Sequence, residues 1–134
     1  MKTNSETALK FSDPESLKGR EDRFCEVEVW VAPVLASWSQ SMFAHEWLKP
    51  DGKIRTLAEM SEAMRNKRRA MESAIDEGQT LMKPVLGVGV LDNIEIGSGR
   101  DLFLALAARG VTSIPVYIPR SHKSEFKVFI RSES

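Results

Sequence analysis

Five consecutive residues, Gly97-Ser98-Gly99-Arg100-Asp101, have the types needed to hold an anion. The serine hydroxyl can donate, the glycine lets backbone amides approach closely, and the arginine brings charge. Free amides at a helix start there would add to the attraction for a phosphate. The same residues also suit an ordinary helix start, with Ser98 or Gly99 as cap, Arg100 solvated and Asp101 complementing the positive end. Spacing leaves both readings open. A second concentration of charge, Arg65, Lys67, Arg68 and Arg69, could follow a nucleic-acid backbone or meet an acidic partner. Glu59, Glu62, Glu72, Asp76 and Glu77 flank it, and no aromatic interleaves it to stack on bases, so an ion-paired helix face is the stronger reading.

Metal chemistry finds less support. His45-Glu46 opens like a zinc motif, but the fourth residue after His45 is Lys49 and the only other histidine is His122, so no metal site is expected. Asp92, Glu95 and Asp101 could converge around the glycine turn as Mg²⁺ carboxylates, although no histidine or lysine accompanies them. Cys25 is the single cysteine, which excludes an internal disulfide and a thiolate zinc site and suits a reducing, cytoplasmic setting. Nineteen Lys and Arg balance nineteen Asp and Glu, so any attraction for nucleic acid or membrane must come from a local patch. No run approaches the roughly 20 apolar residues of a membrane span, and Met1 to Lys18 lacks the apolar stretch of a secretory signal. A cytoplasmic protein without membrane insertion is expected.

The elements that would position these residues can be read from periodicity. At 134 residues the chain has the size of one domain. Residues 1–19, polar and without apolar spacing, are expected to be a disordered arm, leaving 20–134 as a single domain. Phe24 to Val31 alternates, with Cys25, Val27, Val29 and Val31 on one face and Glu26 and Glu28 on the other, which predicts a half-buried strand ended by Pro33. Trp30 then lies on the polar face and needs a cover, which Leu35 to Leu48 or a partner could provide. Leu35, Trp38, Met42, Phe43 and Trp47 are compatible with an irregular helix over Leu35 to Leu48, followed by a turn at Pro50-Asp51-Gly52. Thr56-Leu57-Ala58-Glu59 fits a capping box, so a helix is expected from Thr56 to Glu77, with Leu57, Met60, Met64, Met71 and Ile75 on its apolar side and Gly78 as stop. Strands at Val85–Leu91, Ile94–Ile96 and Ile114–Ile118 around a helix at Arg100–Arg109 imply an α/β fold, a small mixed sheet with packed helices. Ser121 to Ile130 is ambiguous: Phe126, Val128 and Ile130 alternate like a strand, whereas Ser121 and Glu125 suit a short helix.

Pro84-Val85-Leu86-Gly87-Val88-Gly89-Val90, Asn93-Ile94-Glu95-Ile96, Gly99 through Gly110 and Ile114-Pro115-Val116 together resemble the N-terminal domain shared by ParB partition proteins and sulfiredoxins. In that family a strand delivers a glycine, a polar motif follows at a helix start, and a second glycine precedes an Ile-Pro-Val strand. Gly99, Gly110 and Ile114-Pro115-Val116 take those places, in a stretch from Lys83 to Pro119 that is about a quarter of the chain. The departures are informative. ParB-type members follow the glycine with Glu-Arg-Arg, where this chain has Arg100, Asp101 and Leu102. Sulfiredoxins place a nucleophilic cysteine directly after it; Arg100 cannot serve as one, and Cys25 lies in another strand. Leu102 stands where the family keeps a phosphate-binding arginine. The resemblance therefore implies a degenerate member that binds or regulates rather than catalyses.

Family members occur on plasmids, phages and other mobile elements, and the small single-domain ones include fertility inhibition factors that block DNA transfer. The resemblance thus implies a non-catalytic regulator that binds a protein component of a DNA-transfer machine. A different class of function stays open beside it: a nucleotide hydrolase or nuclease using the Gly97–Asp101 turn, with nucleotide and Mg²⁺ as cofactors. DNA binding through Arg65 to Arg69 is the weakest of the three expectations.

Overall fold

A computed structural model describes residues 9–131. Among these residues six strands in two sheets and three helices make a mixed α/β fold: β1 (Phe11–Ser12), β2 (Phe24–Trp30), α1 (Val31–Trp38), α2 (Glu62–Asp76), β3 (Leu81–Met82), β4 (Val85–Val88), β5 (Ile94–Ser98), α3 (Arg100–Ala108) and β6 (Ser113–Pro119). The main sheet has the order β2-β6-β4-β5. β2 and β6 are antiparallel, β6 and β4 parallel, and β4 and β5 antiparallel. α3 with its flanking turns is the crossover that parallel neighbours require, returning the chain from β5 to lay β6 beside β4.

Alternation sorts the residues of β6. Ile114, Val116 and Ile118 are fully buried, and their β2 partners Val29, Val27 and Cys25 share that face. Ser113, Pro115 and Tyr117 face the other way, opposite Trp30, Glu28 and Glu26. Against the apolar face packs α3, whose Leu102, Phe103, Leu104, Ala105 and Leu106 are all buried. A helix apolar on every side must be covered on every side. α2 covers it and is tied to its end by Arg109, whose guanidinium donates to Glu72 at 2.6 Å and to Asp76 at 2.8 Å. Burial alone would lower the Arg109 pKa, but these two carboxylates more than offset it and raise it.

The capping box at Thr56 and Glu59 is present, yet it opens a single 3₁₀ turn, Leu57–Glu59, rather than the long helix. Met60 leaves that turn extended, with ψ of 155°, so that its side chain reaches the core. Ser61 then caps α2, its hydroxyl accepting from the Met64 amide. The helix expected from Thr56 therefore starts at Glu62. Its end is as expected: Gly78 has φ of 72°, and the amides of Gly78 and Gln79 return to the carbonyls of Ile75 and Ala74.

The first half departs further from its periodicity. The chain passes from β2 directly into α1, because Pro33 falls in the first helical turn, where its missing amide would have had no partner in any case. The helix expected over Leu35–Leu48 is thus shifted to Val31–Trp38, and only a 3₁₀ turn, Ala44–Glu46, follows. Residues 1–8 lie outside the described ones, but 9–19 are no free arm. β1 pairs in parallel with β3, and Leu17 is buried. The apolar side chains of Leu9, Phe11 and Leu17 are too widely spaced to give a periodic signal, yet each finds a place against the core or in it. The tail from Arg120 forms two 3₁₀ turns, buries Phe126 and bridges Ile130 to Val29. Arg131 places its guanidinium 5.5 Å over the Trp30 ring, but Trp30 stays 40 % exposed, so neither the tail nor Leu35–Leu48 supplies the full cover expected for it.

Candidate functional site

β5, Gly99 and α3 build the glycine turn as its residue types require. Ile94 and Ile96 point into the core and hold β5 in register, and the β4–β5 pairing slips by one residue between Val85 and Leu86. Gly99 then takes a left-handed conformation, φ 79° and ψ 21°, and its carbonyl accepts from the Phe103 amide at 2.9 Å. A Cβ at this position would stand 2.8 Å from the Pro84 Cα, so both the dihedral and the close approach call for glycine. The first amides of α3 have no acceptor within the helix. Ser98 is exposed beside them and Asp101 is half-buried in the first turn.

The side chains do not complete an anion pocket. Arg100 turns toward the 3₁₀ turn at Ala44–Glu46, with its guanidinium 4.6 Å from the centre of the Phe43 ring and 4.0 Å from the Glu46 carboxylate. Its Nε is buried and makes no hydrogen bond among the described residues. Leu102 is 2 % exposed and belongs to the core. The turn thus has a left-handed glycine at a helix start while its cation is committed to an aromatic face. Phe43 and Glu46 were not singled out for the turn from sequence, because they lie more than fifty positions upstream and carry no motif.

The basic cluster on α2 divides in two. Arg65 donates to the carbonyls of Leu57 and Met60, at 2.9 and 2.8 Å, and so ties down the 3₁₀ turn before its own helix. Arg68 donates to the Arg55 carbonyl at 2.7 Å, approaches Glu72 and lies 5.6 Å over the Trp47 ring. Lys67 and Arg69 remain exposed. Four cations in sequence therefore give two in solvent and two holding carbonyls, too few to follow a phosphate backbone as one surface.

The carboxylates considered for Mg²⁺ are also dispersed. Asp92 is exposed with φ of 62° at the tip between β4 and β5, Glu95 accepts from the Asn93 amide, and Asp101 stays in the first turn of α3. Among the described residues no three His, Cys, Asp or Glu side chains come close enough to hold a metal ion. No described helix is long and apolar enough to cross a membrane.

One polar network was not foreseen. On the sheet face away from α3, Lys83 bridges Asp13 at 3.0 Å and Glu26 at 3.1 Å, while the Tyr117 hydroxyl donates to Asp13 at 2.8 Å. The bonds from Lys83 and then Tyr117 hold the Asp13 carboxyl below its usual range. Burial would lower the Lys83 pKa, but bonds to Asp13 and Glu26 prevail and raise it. Burial, then Asp13, raise that of Tyr117. The network fastens residues 9–17 to the sheet, so its evident work is structural.

No family model matches the chain, and no curated protein or solved structure matches it.

Proposed function

We propose that the chain is a non-catalytic regulatory protein of a mobile element, of the fertility inhibition type, acting in the cytoplasm on a protein component of a DNA-transfer machine. The ParB/sulfiredoxin resemblance supplies the biological setting. The observation that carries the binding mode is the placement of Arg100 against Phe43. It converts the turn from a phosphate-binding arrangement into a surface of Met42, Phe43 and Arg100, with Met42 77 % exposed and Phe43 43 % exposed. Exposed methionine, aromatic and arginine side chains are the types that anchor protein interfaces.

The test is a mating assay in which the donor expresses the protein, joined to a pull-down from the same cells. Wild-type protein lowers transfer and recovers a transfer component in near-stoichiometric yield, whereas Phe43→Asp does neither while remaining folded. Unchanged transfer with no reproducible partner would remove the reading. A second reading draws on the left-handed Gly99 and the unused amides at the start of α3: a nucleotide or phosphodiester held by backbone, with Mg²⁺ supplied by the ligand. Plasmid DNA or labelled nucleotide incubated with Mg²⁺ and the protein decides it. Turnover that vanishes in both Arg100→Ala and Asp101→Ala would replace the first reading.

A further inference from the structure

A cavity of about 780 Å³ is lined in part by Ser41, Ala44 and His45, whose neighbours Phe43 and Glu46 meet Arg100. One wall is a face of α1. Ala32, Leu35, Ala36 and Ser39 follow helical spacing toward the cavity, while Val31, Val34 and Trp38 of the same helix fill the core. α1 holds no charged residue, so its outward face is apolar, and Ala32 and Ala36 on it are exposed among the described residues. Ala44 and Leu48 continue that apolar surface.

The facing wall is cationic and rigidly held. Trp47 is fully buried, Leu48 bridges Ile54, the Arg55 amide donates to the Trp47 carbonyl at 2.7 Å, and Lys49 and Lys53 join across the Pro50–Gly52 turn at 2.8 Å. This short hairpin presents Lys49 and Arg55 to the cavity, with His45 beside them. Arg55 uses its Nε on the His45 carbonyl at 2.9 Å; its two terminal nitrogens make no bond among the described residues. Lys49 has only a loose pairing with Glu59 at 3.7 Å. His45 Nδ1 lies 3.0 Å from the Met42 carbonyl, the geometry of a donor, so its Nε2 in the neutral ring is an acceptor and a carboxylate here must be held by Arg55 and Lys49. Ser41, 7 % exposed, accepts from the Phe43 amide and retains a hydroxyl proton to give. The only acid on the lining, Asp51, is engaged by the Lys53 amide, a bond that lowers its pKa.

We propose that this cavity binds a small organic monocarboxylate, its compact aliphatic or aromatic body on the α1 face and its head group on the Arg55 fork. An apolar wall facing a few convergent polar groups is the usual composition of a small-molecule site, and a planar guanidinium matches a carboxylate with two parallel bonds. Two cations against one acid leave a single positive charge on the lining, which suits one carboxylate better than a phosphate dianion or a polyanion. The site is separate from the Met42–Phe43–Arg100 surface and stands whether or not that surface binds a partner. Because both share the 41–46 segment, ligand in the cavity also steadies the turn that carries Phe43.

The test is an amide-resolved NMR titration of the full chain with sodium hexanoate, hexylamine and inorganic phosphate as separate probes. Hexanoate gives saturable shifts at Ala36, His45 and Arg55, and hexylamine and phosphate give none that saturate in the same range. Arg55→Lys keeps the charge but loses the fork, and weakens hexanoate at least about fivefold. Ala36→Phe fills the cavity from an exposed position and abolishes binding with the spectrum otherwise intact; Ala32→Phe serves the same purpose if Ala36→Phe unfolds. Hexylamine or phosphate binding as tightly as hexanoate, hexanoate shifts confined to other surfaces, or affinity unchanged in the filled variant would each overturn the proposal.

Discussion

The Gly97–Asp101 turn and the Ser41–Arg55 loop meet where Arg100 reaches Phe43 and Glu46, and they solve opposite problems. In the turn the backbone is specified residue by residue, by a left-handed glycine pressed against Pro84, while its arginine leaves to stack on Phe43. In the loop the backbone is irregular, and side chains supply the specification: Trp47 is buried, Arg68 holds the Arg55 carbonyl, and Lys49 and Arg55 are brought to one wall as a result. A turn specified by its own backbone can therefore be read from a glycine, whereas a site made by packing leaves no motif.

The sharpest way to break this comparison is to put an arginine in the first turn of α3, at the buried Leu102. Leu102→Arg places an unpartnered charge in a site that is 2 % exposed, and about 3–5 kcal/mol of stability is expected to be lost in urea denaturation. A stable variant that binds phosphate would show that the turn can hold an anion. Next in size is Gly99→Ala. Left-handed backbone costs a side-chain-bearing residue about 1–2 kcal/mol, and the contact with Pro84 adds to it, so a loss of about 2–4 kcal/mol is expected by the same measurement.

The loop is probed through α2. Arg68→Ala removes the donor to the Arg55 carbonyl and should cost about 2 kcal/mol, with amide shifts spreading to Lys49 and Arg55. Arg69→Ala, exposed one residue on, should stay within about 0.5 kcal/mol. Equal effects would mean that the loop does not depend on the half-buried Arg68.

The smallest effect belongs to the Asp13–Lys83–Tyr117 network, a polar fastening unlike either site. Asp13 has a depressed pKa, so its contribution is present above the unfolded carboxylate value near pH 4 and fades as pH falls through the lower folded one. Lys83 and Tyr117 have raised values, so theirs is present below about pH 10 and fades as pH rises through the folded ones. Hydrogen-exchange protection of the Leu81 and Lys83 amides, which donate to Lys10 and Ser12, should be flat between about pH 5 and 9 and decline on both sides. Protection that is level across the whole range would separate residues 9–13 from these charges.

Legibility followed the same division. β2, β4, β5, α3 and β6 stand where alternation and the two glycines predict them, within a residue or two for most and three at the end of β4. The start of α2 misled, because Thr56 and Glu59 form a genuine capping box for a turn that Met60 interrupts to reach the core. Pro33 misled in the same way, since only the tertiary path shows whether a proline ends a strand or begins a helix. Among the candidate residues, Gly99 adopts the conformation expected of it, while the neighbours of Arg100 and the split among Arg65, Lys67, Arg68 and Arg69 had no local signal.

What the sequence determined by itself is what depends on a residue and its near neighbours. The alternation of β2 and β6, the glycine at the head of α3, the stop at Gly78 and the even balance of charge all follow from side-chain period, allowed dihedrals and counting. The tertiary structure alone decided which cations meet which partners. Long, flexible arginine and lysine side chains reach several ångströms in many directions, and whether they find an aromatic face, a carbonyl or a cavity depends on segments that the fold, not chain order, brings alongside.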